Sequence, residues 1–236
     1  TRTQFKNATG LPDEGHYTTA KDLSILARAL IRDFPEHYKV YKEKYFSYND
    51  IRQANRNSLL WRDDAVDGMK TGHTQAAGFC LVASAEKKDM RLVSVVMGAT
   101  SERARSTESQ KLINYGFRYF ESVKLYDGLE SLRRVKVWGG LHESLDVGIE
   151  APARLTIPTG ARGALAAEVT LDPVIKAPVS QGQTLGLLRI SLEGETLLER
   201  PVVALNGVDE AGLVSSLIDE VSLFFLSLFS GDPLAL

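Results

Sequence analysis

The sequence predicts an α+β chain in three parts: a mixed helix-and-strand unit over residues 1–126, a small all-β sandwich over 127–209, and an amphipathic helix over 210–236. Three observations carry this reading. Helical and strand periodicities alternate through the first part. From Leu129 to Leu205 the chain turns to short alternating apolar runs, punctuated by Pro158, Gly160, Pro173, Gly182 and Gly194. Charge changes at the same place: residues 1–126 hold 20 basic and 15 acidic side chains, residues 127–236 hold 8 and 15. The joint is set at Tyr126 to Gly128.

In the first part, residues 19–32 place Leu23, Leu26, Ala27 and Leu30 at helical spacing, with Thr19 and Asp22 as a capping box and Pro35 as a stop. Residues 46–51 read as extended. Asp63-Asp64 and Asp67-Gly68 read as a loop leading into a strand. Residues 78–85 and 90–98, rich in Val, Leu and Phe, form a largely buried hairpin joined by Glu86-Lys87-Lys88-Asp89. A helix follows over 101–120, with Leu112, Ile113, Phe117 and Phe120 on one side.

In the β part, residues 153–157 and 184–192 are the clearest strands, and no internal repeat is present. The last segment sets Leu213, Val214, Leu217, Ile218, Val221, Phe224, Phe225 and Leu228 on one helical stripe. Asp219 and Glu220 near its middle would cost several kcal/mol in a bilayer core, so residues 211–229 are read as lying in a membrane interface. The segment has no Lys or Arg, which leaves insertion of Phe224, Phe225 and Phe229 to supply the affinity. Docking of the stripe on the β part, or pairing with another chain, is the alternative.

Composition excludes several classes of function. A formal net charge of −2 offers no basic excess for a nucleic-acid partner. The single cysteine, Cys80, cannot form an internal disulfide, and His16, His37, His73 and His142 lack metal-ligand spacing. No metal and no cofactor are therefore expected. The chain begins without Met or an apolar leader, so a processed or cleaved upstream segment is expected.

The sharpest chemical feature is Val66-Asp67-Gly68-Met69-Lys70-Thr71-Gly72-His73-Thr74. Lys70 and Thr71 at a strand start offer an ammonium and a hydroxyl to a carboxylate, and Gly72 lets a peptide backbone approach closely. An exposed lysine beside a glycine bulge is the competing reading of the tripeptide. Asp63, Asp64 and Asp67 are read as turn and capping residues, Cys80 as a buried strand residue, and Trp61 and Trp138 as packing residues.

With its flanks, this block resembles the serine D-alanyl-D-alanine carboxypeptidases, the low-molecular-mass penicillin-binding proteins. The resemblance is carried by Asn7-Ala8-Thr9-Gly10-Leu11-Pro12, Gly15-His16-Tyr17-Thr18-Thr19-Ala20-Lys21-Asp22, Tyr41-Lys42-Glu43-Lys44, Ile51-Arg52-Gln53-Ala54-Asn55-Arg56-Asn57, Leu60-Trp61 and residues 66–78. It implies a partial transpeptidase/β-lactamase-like catalytic domain over 1–126, the sandwich, and a membrane-anchoring helix. Of the family's three motifs, Ser-x-x-Lys, Ser-x-Asn and Lys-Thr-Gly, only the last is matched in context. Ser84-Ala85-Glu86-Lys87 and Ser47-Tyr48-Asn49 fit the other two by letter and are read as coincidences.

The resemblance thus implies the C-terminal part of an enzyme whose nucleophilic serine and general-base lysine lie in an N-terminal segment absent from this chain, which alone would be inactive. It implies removal of the terminal D-Ala from peptidoglycan stem peptides through a serine acyl-enzyme, with β-lactams acylating the same serine. It assigns substrate binding to Lys70, Thr71, Gly72 and Arg105, and an oxyanion-hole donor to the His73 backbone N–H. The His73 imidazole is read as outside the direct contacts, and a helix-surface arginine is the alternative for Arg105. The implied location is periplasmic, peripherally on the outer face of the bacterial cytoplasmic membrane. A serine β-lactamase and a non-catalytic, membrane-peripheral peptidoglycan-binding module are the other functions considered.

Overall fold

The computed structural model describes residues 2–212 and divides into two compact units between Glu121 and Ser122, ahead of the joint read from the charge pattern. The predicted helix over 211–229 falls, from residue 213 onward, outside the described residues. Among the described residues no helix is long and apolar enough to cross a membrane.

The first unit opens with helix α1 (Ala20–Asp33). Thr19 caps it by accepting from the Asp22 N–H at 3.1 Å. The expected reciprocal half of a capping box does not form, because the Asp22 carboxylate instead accepts from the Arg2 N–H and the Thr3 hydroxyl. Those bonds, the Thr3 hydroxyl first, hold its pKa below the usual aspartate value. Pro35 starts a separate turn, α2 (Pro35–Tyr38), as its fixed φ favours the first helical position.

Strands β1 (Tyr45–Tyr48) and β2 (Ile51–Ala54) form a hairpin where the sequence suggested one extended run. Asn49 and Asp50 both adopt left-handed backbone and close it, a conformation that suits Asn and Asp better than most residues. After a 3₁₀ turn over Ser58–Trp61 come β3 (Val66–Thr74), β4 (Gly78–Lys87) and β5 (Met90–Ala99), an antiparallel sheet in the order β3-β4-β5. Asp67 and Gly68 thus lie inside β3 rather than in a preceding loop.

Helix α3 (Glu102–Tyr119) starts at Ser101, whose hydroxyl accepts from the Ala104 N–H. It packs Ile113 and Phe117 on a cluster of Leu59, Leu60, Val66, Leu81, Ala83 and Ala85. A second cluster, Ala27, Tyr38 and Met69 with Val82 and Val93 beside it, brings α1 and α2 onto the sheet. Leu26 and Leu112, expected on the buried stripes, are about half exposed.

The second unit is all β. Strands β6 (Phe120–Tyr126), β7 (Ser131–Lys136), β8 (Ser144–Gly148), β9 (Ala153–Pro158), β10 (Leu165–Leu171), β11 (Thr184–Leu192) and β12 (Glu195–Ala204) make a five-stranded sheet, β10-β11-β12-β8-β7, and a β6-β9 pair. Both contribute to one core that includes Val123, Val135, Leu145, Ile157, Leu188 and Val202. Strict alternation in β9 buries Ala153, Leu155 and Ile157 and exposes the residues between them. Trp138 is buried in this unit as a packing residue, whereas Trp61 of the first unit is 41% exposed.

Candidate active site

Pairing with β4 sets Lys70 opposite Val82, Thr71 opposite Leu81, Gly72 opposite Cys80 and His73 opposite Phe79. Residues directly opposite in an antiparallel pair share a face, so Thr71 and His73 lie on the face of Leu81, the side packed against α3. Lys70 and Gly72 lie on the other. Because β3 ends the sheet order, its outer edge is unpaired among the described residues. Such an edge offers backbone N–H and C=O groups to an extended peptide.

At this edge Lys70, Gly72 and His73 are exposed and Thr71 is half-buried. Lys70 sits at the middle of β3, not at its start, and its ammonium contacts the Thr71 carbonyl.

Arg105 projects from α3 and is 2% exposed, which removes the helix-surface reading. Its Nη1 donates to the Gly72 carbonyl at 3.2 Å and its Nη2 to Glu102 at 3.3 Å. The guanidinium lies 5.6 Å from the centroid of the Phe79 ring, which stacks on the His73 imidazole at 3.9 Å between centroids. Phe79 therefore ties two site residues together. In the sequence it reads only as an apolar strand residue, so nothing in the one-dimensional pattern marks this role.

The base of β3 is held as tightly. Asn57, 1% exposed, donates from Nδ2 to the Gly68 carbonyl at 2.9 Å and caps the 3₁₀ turn by accepting from the Leu59 N–H. Asp67 accepts from Arg91 at 2.7 Å and from the Ser84 hydroxyl. This overturns its reading as a turn residue. Asp63 does cap a turn, accepting from the Ala65 N–H at 3.0 Å.

The formal Ser-x-x-Lys at Ser84 has no nucleophile in it: Ser84 is fully buried and its hydrogen is spent on Asp67, while Lys87 is exposed. Ser47 and Asn49 sit on the exposed β1–β2 hairpin. Cys80 is half-buried, not buried, with its thiol on the Ala77 carbonyl at 3.4 Å. Among the described residues no group of His, Cys, Asp or Glu is arranged to hold a metal ion.

Residues 1–101 match the family profile described as D-alanyl-D-alanine carboxypeptidase, and residues 120–210 match that of the penicillin-binding protein 5 C-terminal domain. The chain belongs to the D-alanyl-D-alanine carboxypeptidase family. Among its relatives, carboxypeptidase DacC of Escherichia coli is 42% identical over 227 residues, which cover 95% of this chain and 57% of the relative. Carboxypeptidase DacA of Haemophilus influenzae is 40% identical over 231 residues, covering 97% and 59%. The crystal structure of penicillin-binding protein 5 from Haemophilus influenzae superposes with a TM-score of 0.80 at 39% identity, covering 89% of this chain and 62% of that one. This carboxypeptidase-family chain spans somewhat more than half the length of the curated relatives it matches.

Proposed function

We propose that this chain is the C-terminal part of a serine D-alanyl-D-alanine carboxypeptidase. Residues 1–126 would belong to the catalytic domain, 127–209 would form the β domain, and 210–236 the membrane-interface helix. The observation that carries the reading is the juxtaposition of Lys70, Thr71 and Gly72 on an unpaired strand edge with Arg105 buried behind them.

An extended stem peptide adds to the β3 edge, where Gly72 lets its backbone come close. The Lys70 ammonium supplies positive potential beside the nucleophile and the terminal carboxylate, and the Thr71 hydroxyl donates a hydrogen bond. Arg105 reinforces the carboxylate site and holds the Gly72 carbonyl. A serine from an upstream Ser-x-x-Lys segment attacks the penultimate D-Ala carbonyl, and its proton passes to the paired lysine. The tetrahedral oxyanion accepts from the His73 backbone N–H, a donor worth about 2.7–4 kcal/mol in comparable sites. Terminal D-Ala leaves as the amine, and water then hydrolyses the acyl-serine. A penicillin mimics the D-Ala-D-Ala terminus and acylates the same serine.

Exposed apolar side chains on the first unit, including Leu26, Phe34, Val40, Leu112 and Tyr115, support a catalytic domain with more chain to cover them. The periplasm, on the outer face of the cytoplasmic membrane, is where such a substrate lies. The test is release of D-Ala from a stem pentapeptide. The full-length protein releases it and the 236-residue chain alone does not; absence of release by the full-length protein removes the proposal.

A further inference from the structure

We propose that Asp67 is a positioning residue for the Lys-Thr-Gly strand: clamped by Arg91 and Ser84, it fixes the register in which β3 presents Lys70 and Thr71. The catalytic consequence rests on the carboxypeptidase reading; the structural part does not. Asp67 sits three residues before Lys70, makes no contact with the edge that would receive a peptide, and is not a candidate acid or base.

The clamp draws on several elements. One Asp67 carboxylate oxygen accepts from Arg91 of β5 at 2.7 Å and the other from the Ser84 hydroxyl of β4. The side chains of Asp67 and Arg91 are 18% and 26% exposed. A carboxylate can only accept, so the single Ser84 hydrogen points to Asp67 and the Tyr38 phenol must donate to Ser84. The chain of donors therefore runs from α2 through β4 to Asp67. Arg91 also pairs with Glu86, which holds the guanidinium between two carboxylates. On the next residue, Asn57 grips the Gly68 carbonyl, and a side chain at Gly68 would collide with Tyr38.

The need for a clamp follows from the pairing. The β3–β4 register is irregular between Val66 and Gly68, just before the functional stretch. A bulge breaks the ladder locally, and a slip of one residue beyond it turns every following side chain to the opposite face. Lys70 would then occupy the face of Thr71. The Asp67 contacts, to Ser84 of the adjacent β4 and to Arg91 of β5 beyond it, hold the strand at the bulge itself, where the ladder is interrupted.

The experiment uses the full-length protein carrying this chain, with Asp67→Asn, Arg91→Gln, the double variant, and Ser84→Ala as a milder change that deletes only one hydroxyl. Three quantities are read: the limiting rate of acylation by a fluorescent penicillin, the concentration dependence of that rate, and deuterium uptake of the peptide covering residues 69–75. The expected result for Asp67→Asn is a limiting rate lower by about tenfold or more with half-saturation little changed, since small misplacements act on the reacting geometry. Uptake at residues 69–75 rises while uptake in the α3 peptide does not, and the double variant loses no more than the worse single variant. Ser84→Ala moves the same quantities in the same direction by less. Lower melting temperature with unchanged uptake at 69–75 and an unchanged acylation rate per folded molecule would overturn the proposal. If the unsubstituted protein takes up no penicillin, the carboxypeptidase reading fails, and uptake at 69–75 in the variants still decides whether Asp67 positions the strand.

Discussion

Gly68→Ala should destabilise the first unit strongly, because Gly68 is packed against the buried Tyr38 ring. A Cβ at Gly68 would collide with the Tyr38 Oη and lie 2.9 Å from its Cζ and 3.3 Å from the Tyr41 Cβ. The ring cannot yield freely, because Tyr38 is 5% exposed and packed beside Ala27 and Met69. Overpacking of this kind costs about 1–3 kcal/mol. Moving the phenol also breaks its bond to Ser84, and leaving the buried phenol hydroxyl without an acceptor costs about 1–3 kcal/mol more. The total is about 2–6 kcal/mol. Gly72→Ala is the internal control: its nearest neighbour is the Cys80 Cβ at 3.9 Å, an ordinary contact. It should change stability by no more than about 0.5 kcal/mol while weakening penicillin acylation, because the added methyl sits where a peptide backbone must approach. Urea unfolding of the full-length proteins measures both, and Tyr38→Phe should recover part of the Gly68→Ala loss by removing the nearest atom. Equal losses for the two glycines, or a Gly68→Ala loss below about 1 kcal/mol, would mean that Tyr38 yields freely to the added methyl.

Three further outcomes are expected. Lys70→Ala in the full-length protein lowers the rate of penicillin labelling sharply but leaves stability within about 0.5 kcal/mol, since Lys70 is exposed; near-normal labelling counts against its role. Burial pushes the Tyr38 phenol up to about 12 from an ordinary 10.0. A folded-state pKa above the unfolded one gives stability that is intact below pH 10 and lost as pH rises towards about 12. The spectrophotometric tyrosine titration should thus lose one late component in Tyr38→Phe, and an unchanged curve would exclude this. Deleting residues 211–236 should release the protein from membranes with activity on a soluble substrate retained; unchanged sedimentation with membranes removes the anchor.

The fold was legible where one physical pattern dominated. The β4–β5 hairpin follows from two apolar runs flanking a polar turn, and α1 and α3 from helical spacing begun by Thr19 and Ser101, whose hydroxyls cap them. Legibility failed where a residue's partner lies far along the chain. Nothing near Asp67 announces Arg91 or Ser84, so a short Asp-Gly pair reads as a turn when it is the clamped start of a strand. Capping was overstated for the same reason: Asp22 had a stronger offer from Thr3 than from its own helix. Residues 46–51 gave no glycine to mark their turn, because Asn49 and Asp50 take left-handed backbone instead. Leu26 and Leu112 have the right spacing for a core and remain half exposed, since periodicity states which face is apolar and not what covers it.

In the candidate site, the Lys70-Thr71-Gly72 stretch announced itself through residue type and order. Arg105 came only through family resemblance, and Phe79, Asn57 and Tyr38 had no signal, because positioning residues look like ordinary core until the chain is folded.

Whether Lys70, Thr71 and Gly72 serve a serine supplied by an upstream segment is decided by intact mass and peptide mapping of the full-length protein with and without penicillin. One stoichiometric adduct is expected, located on the serine of an upstream Ser-x-x-Lys peptide and lost in the Lys70→Ala variant over the same exposure. An adduct on Ser84 or Ser47, or no adduct on the full-length protein, would contradict that role.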